Sequence, residues 1–94
     1  MSHQFTVDGQ LNVDTVQRHL IAGINAISNA GEHLEIDLSG SEFSGSAGIA
    51  LLIAWLRHAE KSGTTVKFAG IPDNLPAIAR ACGVENILGI QKSG

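Results

Sequence analysis

Residues 44–48 read Ser44-Gly45-Ser46-Ala47-Gly48, two hydroxyls among small, compliant residues, directly ahead of the apolar run 49–56. A serine in such company can do three kinds of chemistry. As a nucleophile it needs a histidine base and an acid to orient it. As a phosphate acceptor it needs exposure and room for a kinase, and the product would carry a charge change of about −2. As a helix cap its hydroxyl accepts a backbone N–H from the first turn, a contribution of about 1 kcal/mol. A helix N-terminus also presents unpaired N–H groups and partial positive charge, so it tolerates an anion there.

The nucleophile reading fails on pattern. "SGSAG" departs from the nucleophile elbow G-x-S-x-G in its glycine spacing around Ser46, and 94 residues cannot build the fold that carries that elbow. It also lacks the lysine and the spacing of a phosphate-binding loop. His3, His19, His33 and His58 stand at no metal-ligand spacing from one another or from Cys82. Cys82, the lone cysteine, excludes an internal disulfide and reads as a small hydrophobe on a helix, in keeping with a reducing compartment. The expectation is a protein that is not an enzyme and uses neither metal nor cofactor.

Composition narrows the partners. The chain is 44% hydrophobic and 16% charged, which is a folding composition. Its 94 residues suit a single domain, 1–94, near the lower limit for a self-sufficient core. A net charge of −3 and a pI near 5.7 argue against nucleic acid and against an anionic membrane surface. "MSHQFTVDGQ" lacks the basic and apolar regions of a signal peptide. The longest apolar stretch is about half of the ~20 residues a membrane span needs. The expected location is therefore the cytoplasm, without membrane insertion.

The elements that must hold Ser46 follow from periodicity. Phe5, Val7, Leu11 and Val13 alternate around Asp8-Gly9, which predicts a leading hairpin. Val16, Leu20, Ile24 and Ile27 then recur at helical spacing, with Asp14 and Gln17 placed for a capping box and Gly31 as the stop. "HLEIDLSG" alternates as a strand, a helix is expected from about 47 to 62 with Gly63 closing it, and "TTVKFAG" is a second strand. "PDNLPAIARACG" predicts a short third helix capped by Asp73 or Asn74, with Leu75, Ile78, Ala79 and Cys82 inward. Residues 84–88 can make a last strand, and 89–94 a flexible tail. The fold class is thus α/β: a mixed four- to five-stranded sheet flanked by about three helices, with the hairpin first and β-α-β units after it.

On a helical wheel Ile49, Leu52, Ile53 and Leu56 share the arc expected to face the core. Leu51 and Trp55 fall to the side, with His58 on the same strip. Together with Ser44, Gly45, Ser46 and Ala47 they predict a partly apolar surface one helix long, of the kind small domains use to bind partners. An exposed Trp55 could also pair two copies as a weak homodimer.

The run "IDLSGSEFSGSAGIALLIAWLRHAEKSGTTVKFAGIPDNLPAIARACGVENIL" resembles the STAS family, the sulfate-transporter and anti-sigma-factor-antagonist domain. Ile36-Asp37-Leu38-Ser39 matches the family's strand ending, Gly45-Ser46-Ala47-Gly48-Ile49 its loop and helix start, and "GQLNVDTV" its early G-x-L-x-x-D-T-V segment. The resemblance implies a non-enzymatic binding domain. In anti-sigma antagonists the serine at the place of Ser46 is phosphorylated by a partner kinase. In the Mla phospholipid-transport branch, which the length and the "PDNLPAIARACGVENIL" ending favour, that position contacts the ATPase of an ABC transporter. The leading implication is docking on that ATPase, at the inner membrane through the partner; the alternative is an anti-sigma factor antagonist switched by phosphorylation of Ser46. Both branches usually carry Asp before the Ser or Thr, where this chain has Gly45, a change that weakens the phosphorylation reading.

Overall fold

The computed structural model of the protein describes residues 3–81 and 83. Their order is β1 (His3–Leu11), α1 (Val16–Ala30), β2 (His33–Phe43), α2 (Ala47–Ser62), β3 (Thr65–Ala69) and α3 (Leu75–Ala81). The predicted strand 84–88, the tail 89–94 and Cys82 lie outside the described residues.

The leading hairpin does not form. Residues 3–11 run as one strand, parallel to β2 from His3 opposite Leu34 to Leu11 opposite Phe43. Phe5, Val7 and Leu11 keep one parity, so a single strand turns all three toward the core, Val7 and Leu11 completely. Gly9, between Val7 and Leu11, is exposed and sits at φ +88, a conformation that glycine accepts inside the strand. β3 also pairs parallel with β2, giving the order β1-β2-β3. Among the described residues the sheet is therefore three-stranded and wholly parallel, where a mixed sheet with an antiparallel edge was expected.

β2 is longer than its alternation suggested because it contains a bulge. Thr6 pairs with Asp37 and Asp8 with Gly40, so β2 carries one extra residue at 38–39. The bulge switches parity: Leu34, Ile36 and Leu38 face the core before it, Ser41 and Phe43 after it. The Ser41 hydroxyl spans it by donating to the Leu38 carbonyl at 2.6 Å. That switch lets Phe43 end the strand pointing inward, one residue before the Ser44–Gly48 stretch.

α1 and α2 pack on each other and on the sheet face that carries Val7, Leu11, Leu34, Ile36 and Leu38. Ile27 of α1 is fully buried, with Val16, Leu20 and Ile24 at its flank, as the helical spacing predicts. The predicted Asp14–Gln17 box is replaced by a different device. The Asn12 side-chain oxygen accepts the Asp14 and Thr15 amides at 2.9 and 3.2 Å, and Thr15, the N-cap residue, donates its hydroxyl to the Gln10 carbonyl at 2.6 Å. Asn12 outcompetes Asp14 because its side chain reaches the amides two and three residues further on, an Asx turn. α3 lays Leu75 and Ala79 into the core.

Candidate functional site

Ser46 is the N-cap residue of α2, at φ −87 and ψ −9, and its carbonyl accepts the Ala50 amide at 3.0 Å. Its side chain makes no capping hydrogen bond. With ψ near zero the hydroxyl is not set back over the first turn as a capping side chain is, since capping residues hold extended dihedrals. The capping role predicted for Ser46 is thereby corrected: the hydroxyl stands exposed beside exposed Ser44 and Gly45.

The two glycines here do different work. Gly45 has φ +83, and a side chain there would meet nothing within 4 Å, so backbone conformation alone selects it. Gly48 is buried, and a Cβ on it would run into the Phe43 ring, 2.7 Å from Cε2. Gly45 turns the chain out of β2; Gly48 lets α2 start flat against it.

Parallel pairing gathers further residues around this loop. Leu11 and Phe43 end their strands opposite each other, so residues 12–15 leave the sheet beside residues 44–46. Val13, in that neighbouring loop, is 79% exposed. The Asn74 side-chain amide donates to the Phe43 carbonyl at 3.0 Å, tying the start of α3 to the last residue before the loop. Periodicity alone places Val13 in a strand and Asn74 at a helix cap; the signal that brings them to the loop is that parallel strands collect their outgoing loops at one end.

Leu51 and Trp55 do not belong to any exposed surface. They are 1% and 0% exposed. Trp55 lies edge-on to Phe5, ring centroids 5.9 Å apart at 88°, and its indole N–H donates to the Leu20 carbonyl at 3.3 Å. α2 is turned by roughly a quarter of a revolution from the predicted orientation. The reason is that α1 offers Gly23 as a slot for the indole, so the small residues Gly48 and Ala59, with Leu52 and Trp55, become the inward line. Ile53 and Leu56 move to the margin. The outward face is Ser46, Ala50, Arg57 and Lys61, with Ile53 and Ala54 half-buried.

His58 also leaves the predicted patch. Its Nε2 lies 2.9 Å from the Ser28 hydroxyl, joining α2 to α1. Twelve residues of helix put it about 18 Å along the axis from Ser46. Of the predicted surface, Ser44, Gly45, Ser46 and Ala47 stay together and Leu51, Trp55 and His58 do not join them. His3 and His33 open their strands, at the far end of the sheet from Ser46. Among the described residues no group of three or more His, Cys, Asp or Glu is placed to hold a metal ion, and no helix is long and apolar enough to cross a membrane.

Two titratable groups depart from ordinary behaviour. The Asp37 carboxylate, beside the bulge, accepts the Ser39 amide at 2.9 Å, and bonding to Ser39 lowers its pKa. Gly70, at φ +62, sits against that carboxylate where any Cβ would collide with it. The His19 Nε2 is buried without a hydrogen-bond partner, and burial followed by the Arg18 charge lowers its pKa against an opposing pull from Asp8.

The sequence profile of the family described as "Mlab, STAS domain" matches residues 2–90. No curated protein matches the chain. The solved structures similar to it include the crystal structure of an antisigma-factor antagonist STAS domain from Rhodobacter sphaeroides. The two superpose with a TM-score of 0.64 at 20% identity, over 73% of this chain and 74% of that one, which is a likeness of fold.

Proposed function

The chain belongs to the STAS-domain family, and from that premise we propose that it is a non-enzymatic binding subunit that docks on the ATPase of an Mla-type phospholipid-transport ABC complex and modulates it. The contact is made by the loop Ser44, Gly45, Ser46 and Ala47 with the outward face of α2, on the cytoplasmic side of the inner membrane. One observation supports this most: the Ser46 hydroxyl is exposed and has no capping bond to make, at the head of a face where Ala50, Ile53 and Ala54 offer apolar contact. Arg57 and Lys61 follow on the same face and suit acidic groups on the partner. Exposed Val13 borders the loop and extends the contact area.

A second reading has its own support. An exposed, uncapped serine at a helix N-terminus suits phosphorylation, and the structural neighbour is an antisigma-factor antagonist. In that reading a kinase-type anti-sigma factor is the partner and phosphate on Ser46 releases it. Gly45, at φ +83, stands where the STAS resemblance implies an acid, and the absence of that acid favours docking over the switch.

Affinity capture with tagged wild type and Ser46→Glu separates the two. Docking predicts that wild type retains an ABC ATPase with its permease and that the variant loses them. The switch predicts capture of a kinase-type anti-sigma factor and a phosphopeptide containing Ser46. Retention of the ATPase by Ser46→Glu would remove Ser46 from the contact.

A further inference from the structure

We propose that the outer edge of β1 pairs antiparallel with β1 of a second copy, joining the two sheets into one across a two-fold axis. Among the described residues β1 bonds to β2 on one side only. An unpaired strand edge is a template for another strand, and proteins usually blunt it with lysine, proline, a bulge or brevity. β1 has none of these. It is nine residues long and carries no proline or lysine; the extra residue of the bulge belongs to β2, and the one irregular residue of β1, Gly9 at φ +88, lies at the end of the stretch that pairs. β3, at the other side, is five residues with Lys67 at its centre.

The register follows from symmetry. A two-fold axis normal to the sheet keeps both helical layers on one side, so inward residues must face inward residues across the new seam. Centred on Thr6, this sets Thr6 opposite its own copy, Phe5 opposite Val7 and Gln4 opposite Asp8. The polar face then gains a threonine pair and two amide–carboxylate pairs, while the core side extends an apolar seam; such cross-strand pairs each stabilise a sheet. Centred one residue either way, Asp8 meets Thr6 or nothing within the strand. Pairing stops past Gly9 because Thr15 already occupies the Gln10 carbonyl. The buried Trp55 takes no part. The proposal is independent of which partner the Ser46 loop meets.

Sedimentation from micromolar to millimolar concentration tests it. Wild type is expected to dimerise. Thr6→Lys, an exposed substitution that sets two like charges on the axis, should raise the dimer dissociation constant roughly fivefold or more and leave unfolding unchanged. In a Cys82→Ser background, Thr6→Cys should give a disulfide-linked dimer under mild oxidation and Gln4→Cys should not, because only residue 6 meets itself. A chain that stays monomeric at millimolar concentration overturns the proposal, as does a dimer that ignores Thr6→Lys or fails to cross-link through residue 6. The cross-link decides alone if Thr6→Lys does not fold.

Discussion

Gly23 of α1 and Trp55 of α2 occupy one space: a side chain at residue 23 would begin inside the indole, against Cε2, Nε1 and Cζ2. The relationship sets how closely the helices approach and which side of α2 faces inward. It also converts the only tryptophan from a surface anchor into the centre of the core.

Gly23→Ala should therefore destabilise the fold by about 1–3 kcal/mol, the cost of overpacking a close-fitted site. Urea unfolding followed by Trp55 fluorescence measures it. A variant as stable as wild type would mean the helices separate freely, against the geometry described.

Trp55→Ala should cost about 3–5 kcal/mol through the cavity it leaves and the lost bond to Leu20. Its folded fraction should still bind the partner, since the ring is not on the surface. Normal stability with lost binding would reverse the assignment.

Ser46→Ala should change stability by less than about 0.5 kcal/mol, as for an exposed side chain without a structural bond. A loss near 1 kcal/mol, seen in the same urea titration, would restore the capping role.

Gly45→Ala should cost about 1 kcal/mol or more, because alanine resists a φ of +83 although the space is open. Gly45→Asn, whose side chain tolerates that region better, should cost less. Equal stability of all three would show that the loop relaxes to another conformation.

Acid should weaken the protein through two groups. Asp37 has its pKa lowered by Ser39, so its contribution is present above the unfolded carboxylate range and is lost as pH falls through the folded value. His19 is also lowered, from 6.5, which means the fold favours the neutral ring. Its contribution is full above pH 6.5 and declines below it. Asp37→Asn and His19→Gln should each flatten the corresponding part of a stability–pH curve; an unchanged curve would remove that group from the acid response.

The sequence disclosed most of the frame and misplaced its surface. The bounds of α2 emerge at 47–62 because Ser46, Gly48 and Gly63 punctuate a long apolar run, and Val66 and Phe68 mark β3 as plainly. Asp8-Gly9 misleads because a turn dipeptide inside an unbroken period of two is compatible with a straight strand. The inward face of α2 was hidden for a related reason. A wheel weighs the bulk of Ile49, Ile53 and Leu56, whereas the orientation is decided by Gly23 on another element. The bulge at 38–39 was equally invisible, since Asp37 and Ser39 reveal their bond only when β1 has fixed the register. Ser44 to Ala47 were legible as a group because they are neighbours in the chain.

The hydrogen bond from Asn74 to the Phe43 carbonyl makes α3 a tether for the last rigid point before Ser44. A protein gripping α3 would pull on the loop without touching it. Cutting the tether with Asn74→Ala would slacken the loop while leaving Leu75 and Ala79 to hold α3 in place.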